Sequence, residues 1–281
     1  MPDSSILGSL IAILAAAIWG TGDFMGGLAT RKNKPYQVVA LVALSGLVIL
    51  LGAMLLRGES WPTPQDTLWA IGASISGTIG VAALYRGLAT AQAALVAPTS
   101  SVVGVALPVL LSTITSGPPS LEKWAGMATG ALGIWLVSSS PPGGGSNNKS
   151  ALLLALLAGL GFGGFFVLIA QVEHGSLFAP LVVSKGTSLI FALIILKLQH
   201  TRVPSLRTNK LALAAGLFDA GGNVFYLLAT QLTRLEFAAV LASMAPAMTV
   251  LLASLVTKQR VLTIQKVGVA ICLAAITLIV I

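Results

Sequence analysis

Apolar residues in this 281-residue chain come in long runs separated by short polar breaks. A bilayer core about 30 Å thick takes roughly 20 helical residues to cross. Runs of that length occur at 6–29, 36–56, 67–89, 93–115, 121–139, 150–171, 177–197, 209–231, 236–256 and 263–281. Each predicts a membrane-spanning helix, and nothing between them is long enough for a water-soluble domain. Two connections stand out. Ser138 to Lys149 reads SSSPPGGGSNNK, the composition of a flexible polar linker, and Gln199 to Lys210 is a basic loop.

The polar linker falls near the midpoint of the chain, which prompts a search for an internal repeat. An offset of 142 residues lays Gly22 and Phe24 on Gly164 and Phe166, Ser101 on Ser243, and Gly126 on Gly268. An offset of 141 lays Tyr85 on Tyr226. The pattern predicts an all-α membrane protein of ten transmembrane helices. Residues 1–139 form a first five-helix repeat, 140–149 a flexible linker and 150–281 a second repeat. Five crossings is an odd number, so the second repeat enters the membrane from the opposite side. Inverted repeats about an axis in the membrane plane are typical of secondary transporters, with the site near the midplane at the repeat interface.

Composition excludes a soluble globule. Only 9% of the residues are Asp, Glu, Lys or Arg, against about 25% in soluble domains. The 16 bases outnumber the 8 acids, giving a net charge of +8. Those bases are scattered between apolar runs, so the expected partner is the lipid bilayer and not nucleic acid. Twelve of them, from Arg31 and Lys32 to Lys258, Arg260 and Lys266, fall at the loops after spans one, three, five, seven and nine. Arg57, Lys123 and Arg234 fall on the other side. By the positive-inside rule the basic loops are cytoplasmic and both termini lie outside the inner (plasma) membrane. Met1 to Ser5 has no base, so the first run reads as a retained helix and not a signal peptide. A lone cysteine, Cys272, and two distant histidines, His174 and His200, give no metal site. No cofactor is expected. No nucleophile is grouped with a base, so no enzyme is expected either.

Charge deep in an apolar helix is costly and marks candidate function. Helix eight carries Asp219, Gly222, Asn223, Tyr226 and Thr230 at i, i+3, i+4, i+7 and i+11, a polar stripe on one face. Asp219 reads either as a proton-coupling or substrate-ammonium carboxylate, or as a group bonded locally where Gly221-Gly222 loosens the helix. Asp23 shares a face of helix one with Trp19, Gly22 and Gly26. Its carboxylate faces the site or reaches the interface beside Arg31. Lys185 either meets a substrate carboxylate or snorkels out to water. Ser100, Ser101 and Ser243 sit beside Pro98, Pro108 and Pro246, which are able to kink helices four and nine. Trp19, Tyr85, Phe162 and Tyr226 are read as cavity-wall aromatics or as core packing.

The run Ala17-Ile18-Trp19-Gly20-Thr21-Gly22-Asp23-Phe24 resembles the Trp-Gly-x-x-x-Phe signature in the first helix of the drug/metabolite transporter superfamily, in its ten-helix EamA branch. Tyr226, Leu228-Ala229, Ala238-Ala239, Pro246, Lys258-Gln259-Arg260, Gln265 and Gly268 are similar to that family's repeat text. The resemblance implies a carrier, commonly an exporter, of small organic solutes. With few charges to hold phosphates, the expected substrates are amino acids, aromatic or apolar ones favoured, and related metabolites. The alternative is a proton-coupled multidrug exporter. Substrate contacts are expected from Trp19, Tyr85, Ser100, Ser101, Phe162, Asn223, Tyr226 and Ser243, and charge from Asp219, Asp23 and Lys185. A monomer and a homodimer both fit the pattern.

Overall fold

A computed structural model describes residues 2–89, 93–139, 148–258 and 262–280. Among them the secondary structure is helical, with no strand: α1 (Pro2–Ala29), α2 (Pro35–Arg57), α3 (Pro64–Ala89), α4 (Ala93–Ser116), α5 (Leu121–Ser138), α6 (Asn148–Ile169), α7 (Phe178–Leu198), α8 (Lys210–Leu232), α9 (Leu235–Ala242), α10 (Ala245–Val256) and α11 (Thr263–Val280). Helices follow from the solvent, since a lipid-embedded backbone must satisfy its polar groups within the segment.

Nine segments among the described residues are long and apolar enough to cross a membrane, α9 and α10 counting together as one. The exception is α5, whose first turn carries Glu122 and Lys123. Its packing supplies what its composition lacks. Gly126 lies against Leu278 and Ile279, Gly133 against Cys272, and Gly268 against Leu136 and Val137. Lys123 Nζ donates to the Ile279 carbonyl at 2.9 Å, and at the other end Gln265 Nε2 donates to the Ser139 carbonyl at 3.0 Å. α5 therefore runs antiparallel along the whole of α11 and spans the same depth. Ten crossings result.

The ninth crossing departs from the single helix expected over 236–256. It breaks after Ala242, and Ser243 and Met244 form the joint before α10. Pro246 has no N–H to give the carbonyl of Ala242, four residues back. In the other repeat the 142-residue offset places Gly104 there, which keeps its donor, and α4 runs unbroken. Pro98 and Pro108 do not interrupt it.

The two halves are related by their pairings. α1 packs along α8 as α6 packs along α3; α9 and α10 lean on α1 as α4 leans on α6; α2 meets α8 as α7 meets α3. Three pairs are self-related, α2 with α7, α5 with α11 and α4 with α9. The first two are antiparallel along their length: Ala40 of α2 clusters with Ala192 and Leu196 of α7, while Gly46 meets the Lys185 stem nearer the start of α7. A two-fold axis that makes its own pair antiparallel lies perpendicular to the helices. That is an axis in the membrane plane, and the repeats are inverted.

One face of the bundle holds both chain ends and the loops after α2, α4, α6 and α8; it is called the terminal face below. The opposite, basic face holds the C-terminal ends of α1, α3, α5, α7 and α10. At the terminal face Glu59 closes the start of α7, accepting from the N–H groups of Phe178 at 2.8 Å and Ala179 at 2.9 Å. A carboxylate there satisfies orphan donors and the helix dipole together.

Candidate functional site

Three charged residues set in apolar sequence, Asp23 of α1, Lys185 of α7 and Asp219 of α8, converge where these helices and α2 pack together. Lys185 of α7 forms an ion pair with the Asp219 carboxylate of α8, their side chains 12% and 28% exposed. Lys185 thus turns inward and does not snorkel to water. Asn223, one turn on, donates from Nδ2 to the Asp219 carbonyl at 2.5 Å and lies 3.4 Å from Oδ1. Gly46 of α2 packs on the lysine stem: a Cβ there would stand in ordinary contact, 3.7 Å from Lys185 Cδ.

Asp23 completes the group from α1. A Cβ on its neighbour Gly22 would lie 3.3 Å from the Asp219 backbone nitrogen, so α1 crosses α8 at this level. Asp23 is exposed and accepts no hydrogen bond from the described residues. Two carboxylates and one ammonium leave the site one positive charge short of neutral. It can hold a proton or a cation at Asp23, and with Lys185 released it can also hold an anion.

An aromatic layer lies on the terminal side of these charges. Trp19 is 5.5 Å from Tyr226 and 6.0 Å from Phe166 between ring centroids, and Phe166 is 4.9 Å from Tyr226. Tyr226 is fully buried, and its hydroxyl donates to the Phe166 carbonyl at 3.2 Å. It anchors the layer from behind, while half-buried Trp19 presents the reachable ring. Trp19 fits because α8 has Gly222 opposite it, where a Cβ would stand 2.4 Å from the indole. The joint of the ninth crossing abuts the same turn: Thr249 Oγ1 donates to the Gly20 carbonyl at 2.9 Å.

The inverted counterpart of this site is sealed. The 142-residue offset carries Asp23 and Asp219 onto Phe165 and Gly77, and the Phe165 ring packs on Gly77. It carries Trp19 and Gly222 onto Gly161 and Gly80, whose backbones touch. One repeat interface seats an indole against glycine and carries charge; the other closes glycine on glycine. The fold is doubled but the site is single.

Other expected residues lie elsewhere. Phe162 covers Gly80 and Gly104 in the α3–α4–α6 packing, and Phe166 stands with Trp19 and Tyr226. Ser100 is buried, and Ser101 Oγ is 3.5 Å from Ser138 Oγ of α5. Ser243 caps α9, its N–H bonded to the Ala239 carbonyl at 3.0 Å. The matched serines therefore do different work, because one falls on a continuous helix and the other at a break. The side chain of Tyr85 lies outside the described residues, as do residues 140–147 of the linker. No three His, Cys, Asp or Glu side chains among the described residues are grouped to hold a metal.

No curated protein matches the sequence. A solved crystal structure, described only as that of a protein, superposes with a TM-score of 0.75 over 98% of this chain and 96% of its own at 19% identity. That likeness shows the fold alone. The sequence profile of the EamA-like transporter family matches twice, over residues 6–139 and again over 149–281. Two matches span nearly all ten crossings, and with the paired halves they place this multi-pass membrane protein: the chain belongs to the EamA-like transporter family, membrane transporters of small solutes.

Proposed function

We propose that this transporter exports amino acids, aromatic or apolar ones favoured, and related metabolites by alternating access around the Asp219 site. The observation that carries the reading is the Lys185–Asp219 pair with the exposed Asp23 carboxylate beside it, under Trp19. An α-amino acid carries the complementary pair of charges. Its ammonium suits the carboxylates, its carboxylate suits Lys185, and its side chain meets the indole. No catalytic step is assigned to the protein. The halves rock about the in-plane axis, and the joint at Ser243-Met244 bends beside the substrate.

A second reading has its own support. The excess negative charge at Asp23 and Asp219 favours a proton or an organic cation without help from a substrate carboxylate, as a proton-coupled multidrug exporter requires. Proteoliposome counterflow separates the two. Aromatic and apolar amino acids are expected to exchange, and neither amino esters nor decarboxylated amines are expected to replace them. Exchange of lipophilic cations driven by a pH gradient, with amino acids inert, gives the second reading. Movement of neither class rejects both.

The same proposal has the basic face in the cytoplasm and both termini outside the inner (plasma) membrane, because the positive-inside rule favours basic loops in the cytoplasm. Labelling of Arg202→Cys in intact cells by an impermeant thiol reagent would reverse that orientation.

A further inference from the structure

Away from the central site lies a buried carboxylate that transport chemistry as described does not use. Glu236, in the first turn of α9, is 0% exposed. The Ser112 hydroxyl of α4 donates to its Oε2, and the Arg234 guanidinium pairs with its Oε1. Arg234 also donates from Nη2 to the Gly117 carbonyl, in the loop after α4, at 2.5 Å, and lies over the Phe237 ring. Four groups thus tie the end of α4 to the start of α9 at the terminal face. These are matched helices of the two repeats, the pair that must part when that face opens.

The other end of the same pair has no such tie in its sequence. The 142-residue offset carries Ser112 onto Ser254, but Arg234 and Glu236 onto Gln92 and Ala94. An inverted repeat built of identical halves would favour neither face. Here the terminal face links α4 to α9 through the Ser112–Glu236 and Arg234–Gly117 hydrogen bonds, with the Arg234–Glu236 ion pair holding both in place, while the matched positions at the other face carry no charge. Burial follows the same division. Every residue from Glu236 to Ala242 of α9 is buried, whereas in α10 only Ala245 is. On α1, Asp23 and Gly27 are exposed near the basic face.

We propose that Arg234, Glu236 and Ser112 form the gate of the terminal face, and that its presence in one repeat alone sets a resting state closed there and open toward the basic face. The proposal rests on the alternating-access reading. It makes these three residues positioning elements of the transport cycle that touch no substrate.

The test is cysteine accessibility in nanodiscs, where a charged maleimide reaches both faces. Cys272, which is buried, is first replaced by Ser. Ala239→Cys reports the terminal-face gate, since Ala239 is fully buried three residues beyond Glu236 on the same helical face. Gly27→Cys reports the basic face. Glu236→Gln and, separately, Arg234→Gln are expected to speed labelling at 239 by about tenfold or more and to slow it at 27, as a shifted two-state population requires. Ser112→Ala removes only the hydroxyl donor and is expected to do the same by roughly threefold; it stands in should a charge variant not yield monodisperse protein. Unchanged labelling at both positions overturns the proposal, and so does faster labelling at both, which means a loosened fold. Counterflow on the same proteins tells the two levels apart. Unshifted accessibility with active exchange rejects the gate alone; a wild-type protein that exchanges nothing and shifts with no solute rejects alternating access itself.

Discussion

Asp219→Asn is expected to abolish exchange and also to destabilise the protein, whereas Asp23→Asn should lose exchange without losing stability. The difference follows from what each carboxylate holds. Asp219 neutralises Lys185, whose side chain is only 12% exposed. Removing one partner of a buried pair strands the other charge, at about 3–5 kcal/mol. Asp219 itself is 28% exposed, so water reaches the site and the expected loss is about 2–3 kcal/mol. Asp23 is exposed and holds none of the described residues by a hydrogen bond, so its amide leaves the fold as it was. Both variants remove a charge that the proposed substrate ammonium meets, and exchange should fall about a hundredfold in each, near 2.7 kcal/mol. Adding Lys185→Met to Asp219→Asn is expected to bring denaturation back to within about 1 kcal/mol of the parent while exchange stays lost. Parental stability together with parental exchange in Asp219→Asn would remove these residues from the site.

Much of this arrangement is legible in the sequence. Apolar runs locate the crossings because lipid leaves the backbone no alternative to helix. The i, i+3, i+4 and i+7 spacing of Asp219, Gly222, Asn223 and Tyr226 puts them on one face, and in the structure that face turns inward. What the spacing leaves open is the partner. Lys185 and Asp219 lie on different helices and meet where α7 and α8 both pack on α2 around Gly46. Phe162 and Phe166 differ by one helical turn, and the crossing of α6 with α3 decides which ring joins Trp19. Glu236 escapes notice for another reason. It follows Arg234 by two residues at the start of a span, where a charge reads as interfacial. Only the end of α4 folding over it, with Ser112 inward, makes it a buried group.

Gly161→Val is expected to have the largest effect on stability, exceeding about 4 kcal/mol, and Gly161→Ala about 3 kcal/mol. A Cβ at Gly161 would stand 2.5 Å from Gly80 Cα, 2.6 Å from Gly80 N and 2.7 Å from the Ser76 carbonyl oxygen. All three are backbone atoms of α3, so no rotamer relieves the overlap and the helices must separate along their length. Ordinary overpacking costs about 1–3 kcal/mol because side chains give way; here none is available to do so. Gly27→Ala is the control. A Cβ there meets nothing within 4 Å, and the better helix former should be neutral or stabilising by up to about 1 kcal/mol. Denaturation in detergent compares the three, and Gly161→Val as stable as the parent would deny the α3–α6 contact. The comparison bears on function through the repeat. Trp19 is the counterpart of Gly161 under the 142-residue offset, and a bulky side chain at that level is tolerated in one repeat only. On α1 the indole lies against Gly222, one turn from Asp23 and Asp219; on α6 the backbones of Gly161, Gly80 and Ser76 approach too closely for any side chain at 161. The doubled fold therefore keeps glycine at 161 where the proposed site has tryptophan at 19.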